Sequence, residues 1–486
     1  MATTRLRAVL AFALLIASVD ASSAPERGVV PQMKSRLFVL TDIGADPDDT
    51  QSLIRLLLYS NEIDMEGLVA VTSVHQKTLL EPDSIRRVLR QYAQVQGNLS
   101  LHDVAYPTAH ALLALVATGQ PAYGQAAVGE GKASEGSRRI VAALKRPDTR
   151  PLWITDWGGA NTLAQALFNI RETESPVEAK RLISKLRVYA ISDQDDSGAW
   201  IRKEFPELFY IVSPGGYGAA TWMGMSIFVD GMDNTTVSNG WLASHIQQGH
   251  GPLGAAYPDV AYGMEGDTPS FLALIPNGLN VPERPDWGGW GGRYTLRMPP
   301  LSETDPKGFN GGVPVVPESR PIWTNTVDTI TPMIAKPFGR ATGPTSRSYT
   351  GFRETLWRWR DDFQNDFAAR MDWTVTDRAH ANHPPIIRLA HGDHLAARAG
   401  DFVRLSALGT SDPDGDSLSY HWFVYPEAGT CAMAIPLSSA DNVYQTSFTA
   451  PKVDRACDAH FILRVTDKGT PPLTRYGRVV VSITPK

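Results

Sequence analysis

The chain has 486 residues, 43% of them hydrophobic and 20% charged, with a formal net charge of −5 and a pI near 6.1. That composition is globular, with apolar material for two or three domains. The charge balance and the lack of a basic stripe speak against a nucleic-acid polymer as partner.

The N-terminus reads as a secretory signal. Arg5 and Arg7 form a basic start, Ala8 to Val19 is an apolar stretch too short to span a bilayer, and small residues follow at Ala21 to Ala24. Residues 1–24 are read as a signal peptide. No later run reaches transmembrane length, so the expectation is a secreted or periplasmic chain with no membrane span.

From Arg36 to about Pro214, apolar strands alternate with helical patterns. The predicted strands are 36–41, 67–73, 151–155, 186–192 and 208–213. The predicted helices are 51–60, 81–96, 136–145, 161–170 and 199–204. This alternation predicts an α/β fold, a mostly parallel sheet with helices on both faces. From about Gly215 to Pro344 the chain is rich in Gly, Pro, Trp and Asn, a long loop-rich stretch of the kind that carries function. Over Phe352 to Trp373 helical periodicity returns. Leu356, Trp359, Phe363, Phe367 and Met371 share one face and Arg and Asp the other, which predicts a closing helix on the sheet.

His383-Pro384-Pro385 opens a second domain, giving boundaries of 35–380 and 383–486. Strands are predicted at 402–407, 419–424, 460–466 and 478–483. The pattern is that of an Ig-like or PKD-like β-sandwich with a core tryptophan in Tyr420-His421-Trp422-Phe423. The turn Ser411-Asp412-Pro413-Asp414-Gly415-Asp416 reads either as a plain Asp/Pro/Gly turn or as a calcium loop. The two cysteines, Cys431 and Cys457, read as a disulfide in an oxidising compartment, or else as two buried thiols.

The most informative stretch is Thr41-Asp42-Ile43-Gly44-Ala45-Asp46-Pro47-Asp48-Asp49. It joins the first strand to the first helix, and in a parallel sheet that turn lies at the ligand-binding edge. Four carboxylates this close repel unless a cation joins them, and hard oxygen ligands suit calcium or magnesium. The alternative is helix capping by Asp48 or Asp49. Other predicted strands also end in polar clusters. These are Thr72-Ser73-Val74-His75-Gln76, Thr155-Asp156-Trp157-Gly158-Gly159-Ala160-Asn161 and Ser192-Asp193-Gln194-Asp195-Asp196. Farther on comes Glu265-Gly266-Asp267-Thr268-Pro269.

At these residues the chain resembles the calcium-dependent nucleoside hydrolases. Asp42-Ile43-Gly44 and Asp48-Asp49 are similar to parts of that family's opening motif Asp-x-Asp-Pro-Gly-x-Asp-Asp, with two residues inserted between them. Trp157 to Asn161 resembles its Gly-Pro-Leu-Thr-Asn segment, and Gly266-Asp267-Thr268 its distal His-Asp-Pro segment. The resemblance implies that Asp42, Asp49, Asp267 and the Asp156 carbonyl hold calcium, with Asp42 also the general base for a water. A closer resemblance spans nearly the whole mature chain. It is to secreted proteins labelled cellulose-binding, with a nucleoside-hydrolase-like domain and a C-terminal β domain. Thr41-Asp42-Ile43-Gly44, Asp193-Gln194-Asp195-Asp196, Glu265 to Phe271 and Gly288-Gly289-Trp290-Gly291-Gly292-Arg293-Tyr294 are similar to its hallmarks.

Two departures bear on substrate. Nucleoside hydrolases often place a leaving-group His beside the distal Asp, where this chain has Gly266; His75, His245, His250 or Glu265 are the candidate replacements. The ribose-contacting segment finds its match at best in Met223-Gly224-Met225-Ser226, before Ile227-Phe228-Val229-Asp230. Trp287 and Trp290 read as sugar-stacking rings or as core, and Arg293 as an anion clamp or a structural ion pair. With His75, Asp193, Asp195 and Glu265 they complete the predicted substrate set. The expected function is a secreted calcium-dependent glycosidase cleaving an N- or O-glycosyl bond of a sugar-containing compound. The alternative is a carbohydrate-binding protein that keeps the hydrolase fold without turnover. A third reading makes the C-terminal sandwich a spacer or adhesion module.

Overall fold

Strand β1 (Ser35–Thr41) is buried along all but its first residue, and its side chains alternate between two apolar clusters. Leu37 and Val39 face one cluster, Phe38 and Leu40 the other, as a central strand covered on both faces requires. The computed structural model describes residues 33–215, 217, 220–229, 233–304, 313, 315–336, 340–344 and 347–486. The predicted signal segment and Asp230 lie outside the described residues.

Seven more strands join β1: β2 (Ile63–Ala70), β3 (Val116–Thr118), β4 (Leu152–Asp156), β5 (Leu186–Ala190), β6 (Phe209–Val212), β7 (Tyr294–Arg297) and β8 (Ile322–Asn325). They lie in the order β3-β2-β1-β4-β5-β6-β8-β7, parallel throughout except for β7 against β8. Helices Asp48–Leu58 and Pro82–His102 cover one face, Glu135–Lys145 and Asn161–Thr173 the other. Strand order reverses at β1, between β2 and β4, and at such a switch point the strand ends splay to leave a crevice.

The loop-rich stretch adds to this sheet two strands that periodicity did not predict. β7 and β8 have four residues each, too short to show a period of two. The closing helix is also two helices, Glu354–Trp357 and Arg360–Asp372. The expected polar face is not solvated: Arg360, Asp362, Asp366 and Arg370 are buried. Asp362 accepts from Arg464, and Asp366 pairs with Arg475 at 2.6 Å. This helix therefore packs between the sheet and the C-terminal strands.

Those strands form a sandwich. His394–Arg398, Thr474–Thr484, Cys457–Thr466 and Ser419–Val424 make one sheet, and Phe402–Ser406 with Gln445–Thr449 the other. Trp422 is fully buried in its core with Phe448 and Phe461. Cys431 and Cys457 are bonded, with Cα atoms 5.0 Å apart. Reducing that bond in the full chain is expected to lower stability by about 2–4 kcal/mol, read as a drop in the denaturation midpoint of the sandwich.

The sandwich does not stand apart from the sheet. Tyr425, Ile462 and Tyr476 belong to the same apolar cluster as Leu37 and Val39. At this joint His460 is 1% exposed, its ring edge-on to Trp287 at 4.7 Å. Burial, and then the charges of Arg478 and Arg284, push the His460 pKa down from 6.5 to about 3. The unfolded chain therefore takes up a proton that the folded chain refuses. The contribution of His460 is complete above pH 6.5 and is lost as pH falls toward 3, by up to about 1.4 kcal/mol per pH unit. Urea midpoints at about pH 7 and pH 5 are expected to differ less in His460→Asn than in the wild type.

Candidate active site

The acidic turn is built by local bonds that aim its carboxylates inward. Ala45 N–H donates to the Asp42 carbonyl at 3.1 Å, and Gly44 takes φ +105°, closing a tight turn at the end of β1. Pro47 is the N-cap residue of the following helix; Asp46 Oδ1 accepts the Asp48 N–H at 3.2 Å and Asp48 Oδ1 the Asp49 N–H at 3.0 Å. Asp49 instead accepts from the Thr41 hydroxyl, which itself accepts Ile43 N–H at 3.1 Å. The carboxylates of Asp46, Asp48 and Asp49 come together, one oxygen of each within 4.8 Å of the others. Sequence reasoning selected Asp42 and Asp49 here and passed over Asp46 and Asp48.

Asp42 and Asp267 join them around one cavity of about 550 Å³. Asp42 is 3% exposed and bonded by Ser73; burial, then the charge of Asp46, pushes its pKa up to about 6. Asp48, Asp49 and Asp267 are raised well above the usual carboxylate range, first by burial and then by neighbouring aspartates: Asp46 and Asp42 act on Asp48, Asp42 and Asp48 on Asp49, and Asp48 and Asp49 on Asp267. Asp267 Oδ2 is buried with no hydrogen-bond partner. A lone oxygen of that kind, in a cluster of carboxylates without a paired Lys or Arg among the described residues, is chemically suited to a hard divalent cation.

The turn after β4 closes against Asp42. A Cβ on Gly158 would lie 3.0 Å from Asp42 Cβ and 3.1 Å from its nitrogen, so only glycine lets the two turns approach. Trp157 N–H donates to the Leu40 carbonyl at 2.8 Å, and its indole donates to Ser270 Oγ at 3.0 Å. Ser270 in turn donates to the Asp267 carbonyl at 2.6 Å. Trp157 thus links the acidic turn to the segment that carries Asp267.

Aromatic and polar groups complete the cavity. Trp157, Tyr217, Trp222 and Tyr262 line it with His75 and Gln194. His75 Nε2 is 2.8 Å from the Tyr217 hydroxyl, and the Tyr217 ring stands edge-on to Trp222 at 5.6 Å. Trp222 Nε1 is buried without a partner. A Cβ at Gly266 would come within 3.0 Å of Asp48 Oδ2 and 3.1 Å of the Trp222 ring. The Trp222 ring is thus packed against Gly266, the position that the resemblance sets against a histidine. Tyr217 and Trp222 were missed as pocket residues, because they lie in a Gly-rich stretch with no periodicity to orient them.

Of the four candidate proton donors, His75 lines the cavity. His245 packs on Trp241 with ring centroids 5.0 Å apart, and His250 bonds Asp372 at 2.7 Å. Glu265 is fully buried and held by Arg55 at 2.7 Å, Tyr257 at 2.6 Å and Thr268 at 2.8 Å. It takes the left-handed backbone, φ 51°, and so positions Gly266 and Asp267 without touching the cavity.

The other predicted residues are placed elsewhere. The Asp156 carbonyl accepts Ile191 N–H at 3.1 Å inside the sheet, and Asp156 is not among the residues that line the cavity. Asp193 is clamped by both Nη atoms of Arg202 at 2.8 Å. Asp195 accepts the N–H groups of Asn161 at 3.1 Å and Ser197 at 2.8 Å; its pKa is pushed up to about 7, mainly by burial. Both line a separate cavity. Trp287, Trp290 and Arg293 lie at the joint with the sandwich, in the core and ion-pair places that are the second of their two readings. Trp290 is fully buried between Phe363 and Tyr476, Trp287 packs on His460, and Arg293 pairs with Asp328 at 2.6 Å.

An open parallel sheet with acidic residues gathered at its switch point defines a nucleoside-hydrolase-like α/β protein. Residues 36–294 match the family described as cellulose-binding Sde182, nucleoside hydrolase-like domain, and residues 402–483 match the cellulose-binding protein Sde0182, C-terminal domain. The chain belongs to this Sde182 family. A solved structure of a nucleoside hydrolase-related hypothetical protein from Saccharophagus degradans, associated with carbohydrate metabolism, is 34% identical. It matches over 93% of this chain and 100% of its own, with a TM-score of 0.76. The effector protein XOO4466 is 12% identical over 60% of this chain and 88% of its own, with a TM-score of 0.33. The type III effector XopQ, complexed with adenosine diphosphate ribose, is 16% identical over 51% and 82%, with a TM-score of 0.26. No curated protein matches the chain.

Proposed function

We propose that this chain is a secreted, calcium-dependent glycosidase acting on the N- or O-glycosyl bond of a sugar-containing compound. One observation carries the reading: the buried carboxylates of Asp42, Asp49 and Asp267 and the half-buried ones of Asp46 and Asp48 surround an open cavity walled by aromatic rings. Asp42, Asp48, Asp49 and Asp267 would hold the ion, with Asp46 beside them. Calcium bound there supplies an anchor for sugar hydroxyls and a polarised water. Asp42, held by Ser73, would accept the proton of a water attacking the anomeric carbon. Trp222 offers a ring face and an N–H to the sugar, and His75, steadied by Tyr217, donates a proton to the leaving group. The ligand class follows from the cellulose-binding description of the family. Among the described residues no helix is long and apolar enough to cross a membrane.

The second reading, a carbohydrate-binding protein without turnover, is favoured by the indole at Gly266. A screen of glycosides and nucleosides, with calcium or with a chelator, separates the two. Release of free sugar that needs calcium and disappears in Asp42→Asn supports the enzyme. Binding to insoluble glucan with no sugar released from any substrate overturns it in favour of the binding protein.

A further inference from the structure

A second oxygen-rich site lies where the chain enters the sandwich, and it shares no residue with the acidic cavity. Three segments meet there: the entry residues Asn382 and His383, the Asp-rich turn 411–416, and the turn after strand Cys457–Thr466. Each carboxylate spends one oxygen on the local fold. Asp412 Oδ1 accepts the N–H groups of Asp414 at 2.9 Å and Asp416 at 3.1 Å. Asp467 Oδ1 accepts Asn382 Nδ2 at 3.1 Å, Gly469 N–H at 3.0 Å and Leu473 N–H at 2.9 Å. Asp414 fastens the entry by accepting His383 N–H at 2.6 Å.

What remains is a set of three buried oxygens with no hydrogen-bond partner: Asn382 Oδ1, Asp412 Oδ2 and Asp467 Oδ2. Asp467 is 1% exposed, and it sits between Asn382, which bonds the same carboxylate, and Asp412, whose charge reaches it. No Arg or Lys among the described residues pairs with either carboxylate. Leaving a buried carboxylate oxygen unpaired is costly, and two of them with an unpartnered amide oxygen call for a shared cation. Two carboxylates and an amide oxygen, with no sulfur or imidazole nitrogen free among them, match calcium.

We infer that Asn382, Asp412 and Asp467 bind a calcium ion that locks the C-terminal sandwich to the segment leading into it. Its expected dissociation constant is about 10⁻⁴–10⁻³ M, the range of extracellular calcium modules. The test is calcium titration and thermal unfolding of the full chelator-stripped chain, comparing wild type with Asp412→Asn, Asp467→Asn and Asp49→Asn. Asp412→Asn and Asp467→Asn are expected to lose one bound ion per chain, or to weaken that step at least about tenfold. Asp49→Asn should keep that step, which separates this site from the cavity. If Asp467→Asn fails to fold, Asp412→Asn decides, since its turn is partly exposed. Unchanged stoichiometry and affinity in the Asp412→Asn variant would overturn the site and leave water as the partner of these oxygens.

Discussion

Asp49→Asn is expected to weaken calcium binding in the acidic cavity by about 100-fold, or about 2.7 kcal/mol, while raising the stability of the metal-free chain. The two effects share one cause. Asp49 is 3% exposed, and burial together with the charges of Asp42 and Asp48 already disfavours its ionised form. An amide of the same shape relieves that repulsion when no cation is present. It also removes a charged ligand when one is. The opposite signs are diagnostic. A residue that merely capped the helix would destabilise by about 0.5–2 kcal/mol on substitution and leave calcium binding untouched. The measurement is calorimetric calcium titration alongside unfolding with and without a chelator. A lower melting temperature in chelator, with calcium affinity unchanged, would return the acidic turn to a structural role.

The fold was largely legible because its signals are local. β1 to β6, except the three-residue β3, announce themselves as apolar runs at regular spacing, and Trp422 marks the sandwich core. The site was legible where chemistry and position coincide: Asp42, Asp49 and Asp267 line one cavity, as does His75. It was illegible where a residue's partner is distant in sequence. Trp290 and Arg293 sit in a Gly-rich loop suited to a ligand, yet their partners are Tyr476 and Asp328, 186 and 35 residues away. Glu265 reads as a site acid, but it is neutralised by Arg55 from the first helix. Asp193 has its arginine nine residues on, a spacing that says nothing by itself. Polar residues near an active edge divide into those facing the cavity and those bracing it, and only the tertiary contacts make the division.

Under the proposed function Trp222 shapes the sugar's place in the cavity it lines, and its removal is expected to have the largest effect on ligand binding. Its ring lies where a Cβ at Gly266 would be only 3.1 Å away, so the histidine of a nucleoside hydrolase does not fit while the indole is in place. Its Nε1–H is buried and unpartnered, which a sugar hydroxyl would satisfy. Truncating a buried tryptophan that anchors a ligand costs about 2 kcal/mol or more, roughly a 30-fold loss of affinity. Trp222→Ala is therefore expected to lower affinity for a soluble cello-oligosaccharide by about that factor and to leave calcium binding intact, because no carboxylate is changed. Gly266→Ala should weaken the same ligand with Trp222 still present, since the added methyl crowds both the ring and Asp48 Oδ2. The double variant Trp222→Ala, Gly266→His gives the imidazole the space the indole vacates. Under the glycosidase reading it shifts preference toward nucleosides, where a histidine serves the leaving base. If Trp222→Ala binds the oligosaccharide as tightly as wild type, the sugar does not use this cavity, and the acidic turn then holds calcium for some other ligand.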